Sequence, residues 1–262
     1  MTETSSTQPS PSVQSPVIGQ GLTEIERLML ERGVIIPPTE DELPCEDGEP
    51  METDPHVLQL ELLRETLRLY WKDRRDFFVG GNMFVYFSLD QVKRRDFRGP
   101  DFFVALNVPH RTRKSWVVWQ EGKGPDLVIE FLSDSTAEKD KGEKKRIYQD
   151  ELKVTEYYWH DLFADDFAGF ILREGVYEPI EPDERGRLMS RKLGLALTRW
   201  NGEFRSVECQ WLRWETPDGK LLPTGAEMAE QEHKQAQAAQ QRADDLEAML
   251  ARYRERFGEI PE

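Results

Sequence analysis

Cysteine and histidine are both scarce. Cys45 and Cys209 are the two cysteines, far apart in unrelated contexts; beyond a single bridge they allow no disulfide framework and no cysteine zinc site, and they fit a reducing compartment. His56, His110, His160 and His233 include no i, i+4 pair on one helix, which removes a histidine-based zinc site. No apolar run approaches the roughly 20 residues of a membrane helix. The opening "MTETSSTQPSPSVQSP" has neither the basic nor the apolar part of a signal peptide. The expectation is a soluble chain with no membrane partner and a cytoplasmic location.

Positive charge is also in deficit. The net charge is -15, which argues against a polyanionic partner until its distribution is considered. Residues 1–53 hold 11 acids and 2 bases, residues 225–262 hold 9 and 5, and residues 54–224 hold 30 and 28. The middle is therefore almost neutral. Its bases cluster in "KRRDFR" (93–98), "RTRK" (111–114) and "KDKGEKKR" (139–146), which reads either as solvated faces or as a local positive surface for nucleic acid.

Composition divides the chain in three. Residues 1–53 form an acidic tail and linker, rich in Ser, Gln and Pro, too poor in aromatics to repay the entropy of ordering, with a short helix at about 22–32. Residues 54–224 form the globular domain. It opens with a helix capped by Asp54 (Val57, Leu60, Leu63, Leu67, Tyr70 and Trp71 on one face), then strand-type runs at 77–89, 101–108, 115–120 and 126–132, a helix at 136–151, and further strands to 214. That order is a mixed α+β domain. Residues 225–262 carry one long helix whose weak apolar seam (Leu246, Met249, Leu250, Tyr253) suits an extended solvated helix or a weak coiled coil.

One stretch asks a chemical question. "GPDLVIEFLSDSTAEKDKGEKKRIYQD" (124–150) places Glu130 inside a strongly apolar strand, where an unpaired carboxylate costs several kcal/mol. Strand alternation sends Leu127, Ile129 and Phe131 to one face and Asp126, Val128, Glu130 and Leu132 to the other. Asp126 shares Glu130's face, but four residues of strand separate them by roughly 13 Å, too far to share a Mg2+ held at about 2.1 Å; a capping or electrostatic role near the site suits it better. Asp101, at the head of the preceding apolar run, is the partner an adjacent strand supplies. Two such acids suffice for Mg2+ when substrate phosphate completes the shell. The following helix offers cations in Lys141, Lys144 and Lys145, with Asp140, Lys144 and Tyr148 on one face. Ser133 and Ser135 lack the partners of a triad. His56, near the start of the first long helix, can approach the same site.

With these residues in view, Pro100–Asp101, a strand ending "VIE" 29 residues later, "DKGEKKRIY" and "TEYYW" resemble the Uma-type restriction endonuclease family of the PD-(D/E)XK nuclease superfamily. "DPH" at 54–56, "RGPDFFV" and "GPDLVIEFLSDST" extend the resemblance over about 54–215. It implies a restriction-endonuclease-like α/β/α core, a central mixed β-sheet flanked by helices, with Asp101 and Glu130 binding Mg2+ or Mn2+ and DNA as substrate. Double-strand cutting ordinarily takes two active sites, so a homodimer is expected with it. One position departs: the superfamily's lysine, two residues after the glutamate, is Leu132 here. Related nucleases supply the amine from the next helix, which points to Lys144, with Lys141 and Lys145 behind it. Without such an amine the chain reads as a catalytically inactive binding module; the same acids also fit a phosphohydrolase of small phosphoesters.

Overall fold

The computed structural model describes residues 28–29, 31–44, 53–94, 99–133 and 136–258. Cys45, Ser135, most of "KRRDFR" and most of the N-terminal tail with its expected helix lie outside them. Helix α1 (Asp54–Tyr70) leads into strands β1 (Phe77–Gly80) and β2 (Val85–Tyr86), α2 (Leu89–Arg94), β3 (Phe102–Leu106), β4 (Trp116–Val117), α3 (Val118–Glu121) and β5 (Leu127–Leu132). A helical segment follows, made of α4 (Ala137–Lys139), a π-helical turn (Asp140–Lys144) and α5 (Lys145–Asp150). After it come β6 (Glu156–Asp161), β7 (Phe167–Arg173), β8 (Val176–Pro179), β9 (Leu188–Ser190), β10 (Leu195–Phe204), β11 (Val207–Glu215) and α6 (Gly225–Phe257).

Six strands form the central sheet in the order β1-β3-β5-β6-β7-β8. Only β5 and β6 run parallel, joined by the helical segment as a crossover; the other neighbours are antiparallel. Strands β9 to β11 make a second, antiparallel sheet. The result is the expected mixed α+β architecture, with helices flanking a mixed sheet and a long C-terminal helix.

Side-chain alternation divides the core as the sequence implies. Phe102, Val104, Leu127, Ile129 and Phe131 pack with Leu63 and Leu67 of α1 and with Trp211 and Trp214 of β11. Fully buried leucines such as Leu63 and Leu67 each contribute on the order of 2–3 kcal/mol. Gln59 ties α1 to β11, donating Nε2–H to the Leu212 carbonyl and accepting from its N–H. On the opposite face Phe103, Val128, Leu132, Tyr157 and Trp159 pack against Tyr148 and Leu152. Glu130 is on this second face.

Several elements differ from the sequence reading. The cap of α1 is Thr53, not Asp54, and its hydroxyl lies 2.5 Å from His56 Nδ1 instead of capping an amide. Tyr70, expected on the apolar face, is half exposed. "SWVVWQ" is strand for two residues and then turns into α3, because Trp119 swings out to donate its indole N–H to the Pro38 carbonyl. Strand β9 had no signal. Residues 38–44, read as linker, lie against the β2–β4 unit, where Leu43 packs with Phe84, Tyr86 and Val117 and Tyr86 donates to the Pro44 carbonyl. Helix α6 begins with a capping box between Thr224 and Glu227 and is pinned there by Arg213; from Ala229 to Arg256 its residues are exposed. Among the described residues no helix is long and apolar enough to cross a membrane.

Candidate active site

Strand register creates the site. Phe102 lies opposite Ile129 at the end of the β3–β5 ladder, so the next step places Asp101 beside Glu130 across neighbouring strands. Backbone atoms lock the pair: the Phe131 N–H donates to Asp101 Oδ2 at 2.7 Å, and the Asp101 N–H reaches Glu130 Oε2 at 3.4 Å. Gly81 makes room for this meeting, since a Cβ there would lie 2.4 Å from the Asp101 carbonyl oxygen.

The helical crossover supplies the rest. Lys144 Nζ lies 3.2 Å from Glu130 Oε2 and 2.6 Å from Asp140 Oδ1, and the Tyr148 hydroxyl donates to Glu130 Oε1 at 2.5 Å. The π turn carries Asp140 and Lys144; Lys145 N–H reaches back to the Asp140 carbonyl, which also accepts the Tyr157 hydroxyl at 2.9 Å. Single π turns of this kind occur frequently at functional sites.

Three carboxylates therefore surround one ammonium, and the electrostatics are those of crowded, desolvated charge. Glu130 is fully buried, and burial, reinforced by Asp101 and Asp140 against the pull of Lys144, pushes its carboxyl up to about 8. Burial likewise raises Asp101. Desolvation works against the Lys144 ammonium, but Glu130, Asp101 and Asp140 together outweigh it and hold the amine above its ordinary range. Burial and the Glu130 charge push Tyr148 well above the usual phenol value, so it stays a donor.

The donor chemistry fits a hard divalent cation. The acids offer only carboxyl oxygens, three of these groups face a single ammonium, and both Asp140 oxygens are buried, Oδ2 without a hydrogen bond among the described residues and Oδ1 2.6 Å from the Lys144 ammonium. Mg2+ needs only one or two protein carboxylates with water and phosphate for the remainder. Asp101 is the less completely buried member of the pair. No group of three or more His, Cys, Asp and Glu side chains among the described residues is arranged as a metal cage.

Other residues singled out in the sequence fall elsewhere. Asp126 accepts the Leu106 N–H at 2.8 Å and pairs with Lys123, bracing the start of β5 away from Glu130. His56 is buried on the α1 side, its Nε2 3.3 Å from the Leu132 carbonyl and its ring against Phe131 and Phe163, so it touches the strand that carries Glu130 but not the acid. Lys141 pairs with Asp166, and Lys145 sits over the Phe170 ring. Ser133 Oγ lies 3.1 Å from Thr136 Oγ1. The sequence reading missed Trp159 and Asp166, whose indole-to-carboxylate hydrogen bond of 2.8 Å anchors Lys141 beside the site; only the aromatic run on β6 hinted at them.

Comparison with known proteins agrees with the residue motifs. The Uma2 family model, described as "Putative restriction endonuclease", matches residues 42–208. A solved crystal structure of a putative nuclease belonging to DUF820 from Anabaena variabilis ATCC 29413 matches with 17% identity and a TM-score of 0.41, covering 60% of this chain and 91% of that one; so loose an overlap adds nothing to the reading of the site. No curated protein matches. The family match spans well over half of the sequence and takes in Asp101, Glu130, Asp140, Lys144 and Tyr148 together, and the chain belongs to the Uma2 family of putative restriction endonucleases.

Proposed function

We propose that the protein is a divalent-metal-dependent endonuclease that hydrolyses DNA phosphodiester bonds, with Asp101 and Glu130 holding the metal and Lys144 as the catalytic amine. The observation that carries this reading is the Lys144 ammonium 3.2 Å from Glu130 Oε2, delivered by the crossover helix while the strand's own lysine position is Leu132. Membership in a family of putative restriction endonucleases supports DNA as substrate. A bound Mg2+ or Mn2+ would polarise the phosphoryl group and acidify a coordinated water.

The chain's residues have separable tasks. Phe131 N–H fixes the Asp101 carboxyl in strand register, and Tyr148 orients the Glu130 carboxyl by holding Oε1. Lys144 stays charged at neutral pH, which suits it to orient the attacking water or to stabilise negative charge developing on the scissile phosphate, and unsuits it for accepting a proton. Asp140 balances that ammonium from the far side.

Nicking of supercoiled plasmid with Mg2+, Mn2+ or EDTA tests this reading. Metal-dependent nicking should disappear in Glu130→Ala and fall on the order of 10²–10³-fold in Lys144→Ala, the usual cost of one transition-state donor. A folded wild type that cuts with no metal would sink it. A second reading, a catalytically silent binding module, is favoured by the Lys144 ammonium already serving Glu130 and Asp140 as counter-ion; DNA retention without cutting would select it. Turnover of a small chromogenic phosphodiester without plasmid nicking would indicate a phosphohydrolase instead.

A further inference from the structure

The runs of basic sequence account for only part of the positive surface. In "RTRK", Arg111 pairs with Glu40 and Glu121, Arg113 with Glu121, and Lys114 with Asp41. In "KDKGEKKR", Lys141 and Lys144 are committed to Asp166 and the site, while Lys139 and Arg146 are exposed beside it. A further group of bases that pair with no carboxylate among the described residues lies along the end of α1 and the turn after it: Arg64, Arg68, Lys72 and Arg75. The first three follow one another at i, i+4 and i+8, a like-charge spacing that destabilises a helix, and Arg64 depresses Arg68 further below its usual range after burial has done so.

All but Arg64 of these bases border a groove of about 610 Å³ whose walls include Arg68, Lys72, Arg74, Arg75, His110 and Arg111 and no carboxylate. Its floor is apolar and aromatic: Trp71 and Phe77 are buried beneath it, and Arg74 stacks 4.4 Å over the Trp71 ring. Arg68 is fixed by donating to the Val79 carbonyl, and Arg75 by donating to the carbonyls of Lys72 and Arg74. Acids nearby are Asp76, which pairs with Arg74, Glu40 and Glu121, which pair with Arg111, and exposed Asp73, so Arg68, Lys72 and Arg75 are the wall cations left without a carboxylate among the described residues. In a chain of net charge -15, a carboxylate-free groove is the exception.

Its position relates it to the candidate active site. The β1–β3 ladder runs from Gly80 opposite Phe103, beside Asp101, to Phe77 opposite Leu106, beside the groove. The groove is lined by Phe77, Phe78 and Val79 of this edge strand, and Asp101 lies two residues before Phe103 on the strand paired with it, so groove and acids share the β1–β3 ladder.

Resting on the DNA-cleaving reading above, we propose that this groove grips the sugar-phosphate backbone of duplex DNA flanking the phosphate seated at Asp101 and Glu130. Arg68, Lys72 and Arg75 supply the phosphate contacts. Exposed guanidinium and ammonium groups on a stiff helix end suit backbone recognition, which is sequence-independent; the aromatics are too buried to stack on bases.

The test is fluorescence anisotropy with a labelled DNA duplex and the full chain carrying Glu130→Gln, so that nothing is cut, across a salt series. Its companion is the triple variant Arg68→Gln/Lys72→Gln/Arg75→Gln, and the control is Lys234→Gln/Arg242→Gln/Arg252→Gln on α6, which removes the same charge elsewhere; circular dichroism verifies folding of each. The groove triple should bind roughly tenfold or more weakly and lower the slope of log K against log salt by about 2–3, near 0.9 per lost phosphate contact, while the control stays within twofold. Duplex binding equal in groove triple and control overturns the groove and leaves the nuclease reading standing. A wild-type chain that nicks plasmid yet shows the same salt slope as the triple overturns it too, and a chain that neither binds nor cuts duplex overturns both.

Discussion

Two buried glutamates on adjacent strands face opposite fates. Glu156 on β6 is fully buried, and its lone pairs are filled by neutral donors: the Ser190 hydroxyl, the Arg191 and Lys192 N–H groups at 2.8 and 3.0 Å, and the Tyr158 hydroxyl at 3.2 Å. Glu130 on β5 is equally buried but has Tyr148 on one oxygen, Lys144 on the other, a long contact from the Asp101 N–H, and two further carboxylates alongside. Burial raises both carboxyls. The difference is that Glu156 is a clamp for the turn after β9, complete in itself, whereas Glu130 is held by charges whose sum is negative. A buried acid with a closed set of neutral donors stabilises the fold. One in unresolved charge is a place where a cation or a reaction can enter.

Replacing each acid by its amide or alanine sharpens this contrast. Glu156→Ala strands four donors in the interior and should cost about 3 kcal/mol or more, lowering Tm by about 6–12 °C in a domain of this size. Glu130→Gln puts a neutral isostere where burial already favours the protonated carboxyl and should leave Tm unchanged or raise it by a few degrees. Equal losses from both in thermal melts would erase the distinction.

The next effect is a pH dependence. Glu130's folded value of about 8 lies above its ordinary 4.5, so its contribution to stability is fully present below pH 4.5 and is lost as pH rises towards 8. Urea midpoints of the wild type should therefore fall between pH 5 and 8.5 relative to those of Glu130→Gln. Parallel curves for the two chains would count against the buried, proton-holding state.

A smaller effect of opposite sign belongs to His160. Its Nε2–H donates to the Gln210 carbonyl at 2.9 Å while Nδ1 is buried without a hydrogen-bond partner among the described residues, and burial lowers it to about 4. Its contribution is present above pH 6.5 and is lost as pH falls towards 4. His160→Gln should flatten that acid limb; an unchanged limb would reassign it to other groups.

How much of this was legible depends on the range of the interaction. Period-two alternation was enough to put Glu130 on the face that receives Lys144 and Tyr148, and the spacing of Asp140, Lys144 and Tyr148 placed all three on one side of the helix. Asp101 was found because it heads the neighbouring apolar run. Register was not legible, so the lock between Phe131 N–H and Asp101 was missed, and so was the π turn, whose only trace is Gly142. Glu156 gave no sign, since nothing in "TEYYW" announces that a turn thirty residues later will fill its oxygens. The "RTRK" run misled because its carboxylate partners, Glu40, Asp41 and Glu121, are remote in sequence or hidden in α3.

Leu132 has a consequence beyond its own side chain. A lysine on the strand would share the rigidity of the central sheet, but an amine carried by the crossover reaches Glu130 only while residues 137–150 are docked on Leu132, Leu152 and Tyr157. Such a short segment can open as its own cooperative unit, well below the free energy of global unfolding. If Lys144 is the catalytic amine, warming should therefore silence the enzyme before it melts the sheet, and amide exchange in 137–150 would set the ceiling temperature for cutting.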